Sequence, residues 1–207
     1  MSGDFSANAF RARAERHLAA GPGDFLGYGD YRLNPGAEMG LANLELKDAA
    51  VLVPIVDEGD DARVILTKRT AALRKHSGQI AFPGGKLEPE ESAENAAIRE
   101  AEEEIGLARH FVEVIGHLPP IPVLSGFRIT PVLAIVKPGF QLSPNPGEVE
   151  SVFEAPLSFL MNPDNHAQET ALFRNQQRHY YVMPYGEWRI WGITAGILRS
   201  LYERFYE

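Results

Sequence analysis

The sequence predicts an α/β fold in which a β-sheet packs against helices, and three patterns support this prediction. Apolar runs at residues 49–56 and 64–67 flank a charged turn at residues 57–61, which is the pattern of a β-hairpin. A helix rich in glutamate follows the hairpin. The last stretch, residues 188–206, spaces its apolar side chains as a helix does when one face packs on a core.

The N-terminal part, residues 1–45, is predicted to be an extension of a domain that spans residues 46–207. Within it, residues 6–19 place an apolar side chain at every fourth position, so we expect a short amphipathic helix. A connector rich in Gly and Pro follows at residues 21–36. Acidic residues beside the helix favour packing over membrane binding, either on the domain or on a second subunit.

Further strands are expected after the glutamate-rich helix. The predicted strands are residues 112–118, 129–136, 150–154, 168–173 and 179–183. Pro119, Pro120 and Pro122 indicate a loop within residues 118–131, because proline cannot occupy the central positions of a β-ladder. Residues 125–127 of this loop are expected to line the pocket.

The composition limits the possible classes of protein. The chain has 207 residues, 44% of them hydrophobic, no cysteine and a formal net charge of −8. The length suits one domain with an extension. The lack of cysteine excludes disulfides, thiolate metal sites and cysteine nucleophiles, and it fits a reducing compartment. No secretory signal and no run of ~20 apolar residues is present, so we expect a cytoplasmic protein whose partners include neither membrane nor nucleic acid.

Acidic side chains are crowded at residues 88–104, where eight glutamates occur with a single arginine. Like charges three or four residues apart on a helix repel each other, so this cluster calls for a cation. At ~100° per residue, Glu100, Glu103 and Glu104 share roughly a third of the helix circumference. Glu91 is placed to reach the same site from the preceding loop. Ligands that are all oxygens suit Mg²⁺ or Mn²⁺ better than zinc.

The same segment resembles the Nudix box, a pattern written G-x5-E-x7-R-E-U-x-E-E-x-G-U, in which U is aliphatic. The residues in register are Gly85, Glu91, Arg99, Glu100, Ala101, Glu103, Glu104, Gly106 and Leu107. Ala101 is a weak match, because a larger aliphatic residue is usual there. A pattern with so many fixed positions is specific. The alternative interpretation is an acidic helix face in solvent.

The resemblance implies a Nudix fold, which is an α/β/α sandwich with a mixed β-sheet. It also implies a hydrolase that uses divalent metal and water to cleave a nucleoside diphosphate linked to another group. By the same resemblance, Glu103 and Glu104 are principal metal ligands and catalytic residues, with Glu100 as a further ligand and Glu91 nearby. Arg99 is implied to orient a glutamate. Cations that bridge the oxygens of a diphosphate offset the charge that develops in the transition state.

The charge balance inverts just upstream, where residues 62–87 contain six Lys or Arg and no acid. Residues 65–85 resemble the signature that precedes the box in coenzyme A pyrophosphatases, LLTxR[SA]x3Rx3Gx3FPGG. Ile65 replaces its first leucine and Thr70 replaces Ser or Ala, and neither change removes a charge. The implied substrate-binding residues are Arg69 and Arg74 first, Lys68, Lys75 and His76 next, and Phe82, Gly84 and Gly85 in the turn.

Each of these assignments has a plainer interpretation. Lys68 and Arg69 are adjacent on a strand, so they point to opposite faces and at most one of them faces a given ligand. His76 has the sequence context of an ordinary loop histidine. The run from Phe82 to Gly85 is also typical of a strand that ends in a tight turn.

A general base is also needed unless metals alone activate the water. Glu148 and Glu150 follow a turn at residues 145–147 and share one side of an extended segment. Glu148 is the preferred candidate. The alternatives are Glu103 or Glu104 as the base, with both loop carboxylates in solvent.

These patterns together predict a Mg²⁺- or Mn²⁺-dependent pyrophosphohydrolase with a small-molecule substrate. The expected reaction cleaves coenzyme A or a derivative to 3′,5′-ADP and 4′-phosphopantetheine or its acyl form. The alternatives are the same chemistry on ADP-ribose or NADH, or a module that binds a nucleotide without cleaving it. A homodimer is possible.

Overall fold

The structure is a computed structural model that describes residues 4–21, 23–42, 44–71, 78–173 and 176–207. Three of the predicted phosphate-binding residues lie outside these ranges: Arg74, Lys75 and His76. The helices are α1 (Ala7–Ala19), α2 (Asp30–Leu33), α3 (Ala93–Ile105), α4 (Leu157–Leu160) and α5 (Ile193–Phe205), with short 3-10 helices at Ala37–Leu41, Arg109–Phe111 and Pro163–Asn165.

The strands contain the five that the sequence predicts after the helix, and most run longer than predicted. They are β1 (Lys47–Val56), β2 (Arg63–Arg69), β3 (Ile80–Ala81), β4 (Gly84–Lys86), β5 (Val112–His117), β6 (Ile121–Val123), β7 (Phe127–Val136), β8 (Val149–Pro156), β9 (Ala167–Phe173), β10 (Gln176–Tyr185) and β11 (Trp188–Trp191). The predicted hairpin is confirmed by the antiparallel pairing of β1 with β2.

The main sheet is mixed. β1 and β7 run parallel, from Lys47 opposite Phe127 to Val56 opposite Val136. The order β3-β2-β1-β7-β5 is built around this pair, with β4 beside β1, β6 beside β7 and β8 beside β2. The strands β9 to β11 form a separate antiparallel sheet.

Side chains of β1 alternate between two layers of core. Leu52 and Val56 pack in the layer that contains α3. Val53 and Ile55 pack in the layer that contains α1 and α5. Because successive side chains of a strand point to opposite faces, helices cover the sheet on both sides. The predicted α/β/α sandwich with a mixed sheet is confirmed.

The predicted N-terminal helix is present and packs on the rest of the chain. Ser6 caps α1, where its hydroxyl accepts a hydrogen bond from the N–H of Ala9 at 3.3 Å. Phe10 is fully buried and lies edge-on to Phe205 of α5, with 5.6 Å between ring centroids. The first helix is therefore part of the core, while the boundary between extension and domain stays a prediction. Within the described ranges, no helix is both long and apolar enough to cross a membrane.

The prediction of one helix over residues 188–206 is wrong at its start. Trp188–Trp191 forms strand β11, which pairs with β10 from Tyr185 opposite Trp188 to Val182 opposite Trp191. The helix begins only at Ile193, after Gly192 with a φ of +63°. The aromatic residues of this segment suit a strand, and a partner strand across a tight turn overrides the helical spacing.

The loop predicted at residues 118–131 contains a short strand. β6 pairs antiparallel with β7, and Pro122 lies opposite Arg128. In the described part of the chain β7 is the one strand that pairs with β6, so Pro122 sits on an edge strand. Proline is tolerated at an edge because its missing N–H faces away from the ladder.

Candidate active site

Helix α3 carries three of the four predicted metal-binding carboxylates, with Glu91 just before it, and local sequence fixes both ends of the helix. The hydroxyl of Ser92 accepts a hydrogen bond from the N–H of Asn95 at 3.2 Å, which caps the first turn. Gly106 ends the helix in the left-handed conformation with a φ of +70°. The small side chains of Ala97 and Ala101 are fully buried against the sheet. This packing brings α3 close to β4 and β1.

Arg99 lies among three of the glutamates. Its guanidinium contacts Glu91 at 3.0 Å, Glu100 at 3.0 Å and Glu103 at 3.1 Å. Its Nη2 also donates to the backbone carbonyl of Lys86 at 3.1 Å, which ties the helix to β4. The contact with Arg99 lowers the pKa of Glu91. Arg99 therefore holds these carboxylates together against their mutual repulsion.

Glu104 differs from its neighbours because it points into the protein. Its side chain is only 3% exposed. One carboxylate oxygen accepts from the N–H of Gly84 at 3.1 Å, and the other accepts from Arg69 at 3.3 Å. Burial raises the pKa of Glu104 to about 7, although both donors oppose the shift. The nearby charges of Glu100 and Glu148 add to the rise.

Glu100 is also partly withdrawn from solvent. Burial raises the pKa of its carboxyl, and Arg99 opposes that rise. The charges of Glu103 and Glu148 raise it further. Glu148, which comes from a distant loop, is thus close enough to act electrostatically on two carboxylates of α3.

The loop before β8 is held beside α3 by backbone hydrogen bonds. The N–H of Asn145 donates to the carbonyl of Glu104 at 2.8 Å. The N–H of Thr70, at the end of β2, donates to the carbonyl of Glu148 at 2.9 Å. These contacts hold the backbone at Glu148 beside α3. Its role in catalysis stays a prediction.

The two glycines of the FPGG turn allow the close approach of helix and sheet. A Cβ on Gly84 would lie 2.3 Å from the carbonyl oxygen of Ala50, and a Cβ on Gly85 would lie 2.3 Å from Glu100 Oε1. A larger residue at Gly84 would therefore push β4 away from β1, and one at Gly85 would displace the carboxylate of Glu100. The turn therefore packs a carboxylate directly against bare backbone.

The two adjacent basic residues of β2 point to different partners, as expected. Arg69 contacts the buried Glu104 of α3. Lys68 Nζ instead pairs with Glu150 on β8 at 2.6 Å, where the Glu150 side chain is 45% exposed. A register shift between Lys68 and Arg69 in the pairing with β8 accompanies this divergence. Arg69 is therefore the one of the two that faces the carboxylate cluster.

Phe82 lies elsewhere. It is 3% exposed and packs within the hydrophobic core between the sheet and α5. Burial leaves little of the ring open to a ligand, and its contact with substrate stays a prediction. The plainer interpretation of a core residue before a tight turn describes it, because the alternation of the strand directs this ring inward.

The described histidine, aspartate and glutamate side chains do not form a ready cluster of three that could hold a metal ion. Arg99 and Arg69 hold the glutamates instead. The donor set nevertheless fits a hard divalent cation, because its side chains are carboxylates, whose oxygens are the ligands that such ions prefer, and the chain has no cysteine.

A cavity of about 730 Å³ opens beside this cluster. Arg69, Gly84 and Gly85 line it, and Ser125 and Phe127 lie in its wall as the sequence predicts. Other parts of the wall come from the N-terminal connector, β10 and α5, and the sequence did not predict them. The one sequence signal for this part of the wall was the aromatic residues of the connector. The glycines and prolines of the connector indicated a linker instead.

Comparisons with known proteins identify the family to which this fold belongs. A family model described as NUDIX domain matches residues 46–182. The chain belongs to the Nudix family. The match spans the box and most of the sheet, and Nudix hydrolases generally use divalent metal ions and act on pyrophosphate bonds of small nucleotide derivatives.

Two curated relatives are each called an uncharacterized Nudix hydrolase, NudL. The one from Cronobacter sakazakii is 39% identical over 165 residues, which cover 79% of this chain and 85% of the relative. The one from Escherichia coli K12 is 40% identical over 159 residues, which cover 76% and 82%. Among solved structures, DR0079 from Deinococcus radiodurans has a TM-score of 0.51 at 12% identity, over 80% of this chain and 88% of that one. The last similarity concerns the fold alone.

Proposed function

We propose that this Nudix hydrolase cleaves the diphosphate of coenzyme A or of its derivatives, giving 3′,5′-ADP and 4′-phosphopantetheine or its acyl form. One observation carries the proposal. Arg69, from the upstream signature that resembles coenzyme A pyrophosphatases, contacts Glu104 of the Nudix box and lines the same cavity as Gly84 and Gly85. The residues of the two motifs therefore meet at one site.

The residues that would hold Mg²⁺ or Mn²⁺ are Glu91, Glu100, Glu103 and Glu104. A bound divalent cation polarises the diphosphate and lowers the pKa of a water molecule. Arg99 already contacts three of these four glutamates, so it fixes their positions and limits repulsion among them. Its role is to orient ligands rather than to touch the substrate.

Two further residues act on the substrate and on water. Arg69 is placed at the cavity to hold a phosphate, because a guanidinium binds phosphate oxygens through two parallel donors. Glu148 accepts the proton of the attacking water on a carboxylate oxygen. Arg74, Lys68 and His76 are further predicted phosphate contacts, although Lys68 must first leave Glu150.

A panel of nucleotides tests this proposal. The purified protein is incubated with Mg²⁺ or Mn²⁺ and coenzyme A, dephospho-coenzyme A, ADP-ribose or NADH, and products are identified by mass spectrometry. We expect 3′,5′-ADP from coenzyme A and a clear loss of turnover without its 3′-phosphate. Equal turnover of dephospho-coenzyme A, or faster turnover of ADP-ribose or NADH, would overturn the assignment. A cytoplasmic location and a homodimer stay predictions.

A further inference from the structure

The N-terminal connector crosses α5 in direct backbone contact. Gly29 has a φ of +55°, and a Cβ added there would lie 2.6 Å from the carbonyl oxygen of Gly196. A Cβ added at Gly196 would in turn lie 3.3 Å from Cγ of Asp30. Glycine at position 29 is what allows this approach, because it has no side chain and accepts a positive φ. The contact places Asp30, the first residue of α2, directly against α5.

A buried carboxylate of α5 holds the connector at the same place. The side chain of Glu203 is 0% exposed, and it follows Gly196 by two helical turns. Its Oε2 accepts a hydrogen bond from the N–H of Gly29 at 2.8 Å. Its Oε1 accepts from Arg199 at 2.8 Å and from Arg32 at 3.3 Å. Two arginines therefore match the charge of Glu203.

Asp30 belongs to the same cluster but has no such cation. Among the residues that the structure describes, no Lys or Arg forms an ion pair with Asp30, and both nearby arginines bond to Glu203. The N–H of Tyr181 donates to Asp30 Oδ1 at 3.2 Å. Burial raises the pKa of Asp30 to about 7, and the charge of Glu203 adds to the rise. Because a buried carboxylate without a cation is costly, the cluster holds Asp30 best as the neutral acid.

The other titratable side chains around Asp30 favour one charge state near neutral pH or bond elsewhere. Burial raises the pKa of Tyr31 to about 12 and also raises the pKa of Tyr181, so both hydroxyls stay neutral. Burial lowers the pKa of His166, which favours its neutral form. The ring of His179 instead contacts a threonine hydroxyl of β9 at 2.8 Å. Asp30 is therefore the carboxyl through which a change of pH acts on this contact.

We propose that Asp30 and Glu203 form a proton-dependent latch, in which protonated Asp30 holds the connector on α5 and loss of that proton favours release of the connector from the cavity. Two carboxylates in one buried cluster repel each other, and exposure of Asp30 to water relieves both the repulsion and the cost of burial. The connector supplies Phe25, Tyr31 and Asn34 to the cavity wall, so its release opens that side to solvent.

The direction of the effect follows from the two states of Asp30. The released carboxyl ionises near its ordinary pKa of 3.8, whereas the latched carboxyl ionises near a pKa of about 7. At pH values between these two, release frees a proton, so each pH unit favours the released form by up to about tenfold. The latch is therefore strongest below about pH 4, weakens up to about pH 7, and changes little above that.

Amide hydrogen exchange of the full chain, followed by NMR, tests the latch. The N–H groups of Gly29, Arg32 and Asn34 are all hydrogen-bonded, so they report opening of the connector. After correction for intrinsic exchange, we expect them to be at least about tenfold less protected than N–H groups of β1, because the connector opens without global unfolding. Their protection should fall by about tenfold or more from about pH 5 to about pH 7.

Two results in the parent protein alone would overturn the proposal. Equal protection of the connector and β1 would mean that the connector opens only when the whole protein unfolds. Connector protection that does not change with pH would mean that no proton controls the opening.

The variant Asp30→Asn keeps the latch in its neutral form, because an amide does not titrate. We expect it to lose most of the pH dependence and, at about pH 7, to protect the connector about tenfold or more better than the parent does. Asp24→Asn is the matched control. Asp24 lies exposed in the same connector, where its Oδ1 accepts from the N–H of Leu26 at 3.0 Å, and its substitution should keep the pH dependence of the parent. Asp30→Asn with the pH dependence of the parent would contradict the latch.

The variant Glu203→Gln tests the second carboxyl. Glutamine keeps an oxygen for the N–H of Gly29 but removes the negative charge beside Asp30, and it frees two arginines to offset the charge of Asp30. The loss of connector protection between about pH 5 and about pH 7 should therefore be smaller than in the parent. Protection of β1 shows in the same spectra that the variant is folded. A loss as large as in the parent would exclude Glu203 from the latch.

Discussion

The carboxylate cluster and the wall of the neighbouring cavity are built in different ways. The cluster comes from residues that are close in sequence, since Glu91 and the glutamates of α3 lie within residues 91–104. The wall of the cavity brings together the connector, the loop before β7 and the start of α5. Tyr31 and Pro122, for example, are 91 positions apart. Substitutions in the cluster should therefore change the chemistry, whereas substitutions in these distant segments should change stability.

Removal of the Phe10 ring should give the largest change in stability. Phe10 is fully buried and anchors α1 against α5, so Phe10→Ala leaves a cavity in the core. We expect the free energy of unfolding to fall by about 3–5 kcal/mol, measured by urea denaturation. Leu26→Ala, at a side chain that is 42% exposed, is the control and should change it by less than about 0.5 kcal/mol. A loss below about 1 kcal/mol for Phe10→Ala would show that the extension is not part of the core.

The variant Glu103→Gln should abolish most metal-dependent turnover without unfolding the protein. Glu103 is 59% exposed on α3, so the change costs no core packing but removes a charge from the proposed metal site. We expect kcat to fall more than the roughly 100-fold seen when an outer-shell partner of a metal site is lost. Turnover assays and circular dichroism measure the two effects.

The neighbouring Glu102 supplies the control for that substitution. It is exposed on the same turn of α3, and it is outside the predicted metal site. Glu102→Gln should keep the turnover of the parent protein. If both variants lose activity equally, turnover depends on the total negative charge of α3 rather than on Glu103 as a metal ligand.

Arg69→Ala should weaken substrate use more than metal binding. Arg69 lies at the cavity and contacts Glu104, so its loss removes a phosphate contact but leaves all four glutamates. We expect kcat/KM to fall by roughly 10- to 100-fold, which is about 1.4–2.7 kcal/mol. Titration with Mn²⁺ should give an affinity close to that of the parent.

Arg63→Ala provides the matched control on the same strand. Arg63 is exposed at the first residue of β2, far along the strand from Arg69. It should leave kcat/KM unchanged. An equal loss of metal affinity and of kcat/KM in Arg69→Ala would instead assign Arg69 to the metal site.

The last prediction is a pH dependence of stability that comes from Asp30 in the wall of the cavity. Burial raises the pKa of Asp30 from 3.8 to about 7, and the charge of Glu203 adds to the rise. The N–H of Tyr181, 3.2 Å from Asp30 Oδ1, opposes it. At pH values between 3.8 and about 7, the carboxyl of Asp30 stays protonated in the folded protein but loses its proton in the unfolded chain. Stability therefore falls as pH rises from about 4 to about 7, by at most about 1.4 kcal/mol per pH unit.

Asp30→Asn should remove this contribution, because an amide does not titrate. Urea denaturation at several pH values between about 5 and 8 measures the slope. Asp60→Asn, in the exposed turn between β1 and β2, should keep the slope of the parent. A slope in Asp30→Asn equal to that of the parent would show that Asp30 is not the group responsible.

Most strands and the helix α3 could be predicted because their signals are local. The hairpin of β1 and β2 has a charged turn between apolar runs, and α3 has a serine cap and a final glycine. The segment Trp188–Trp191 was assigned to the wrong structure because its apolar spacing fits a helix as well as a strand. Pairing with β10 decided between the two, and pairing is a tertiary contact.

The candidate site likewise contains residues that local signals predicted and residues that only tertiary contacts placed. The register of the box identified the glutamates, and the signature upstream identified Arg69. Phe82 was predicted to bind substrate, and only the structure shows that its ring is buried in the core. A single sequence pattern does not state which face of a strand meets the ligand, so this burial had no local signal.

By itself, the sequence determined that four glutamates and one arginine share a short segment in the register of the Nudix box. It did so because the spacing of side chains on a helix is fixed by the backbone. Only the tertiary structure decided that Glu104 is buried against Gly84 and Arg69 while Glu103 stays exposed. It also decided that the connector walls a cavity. Both outcomes depend on which distant segments exclude water from these groups. The local spacing of residues contains no information about those segments.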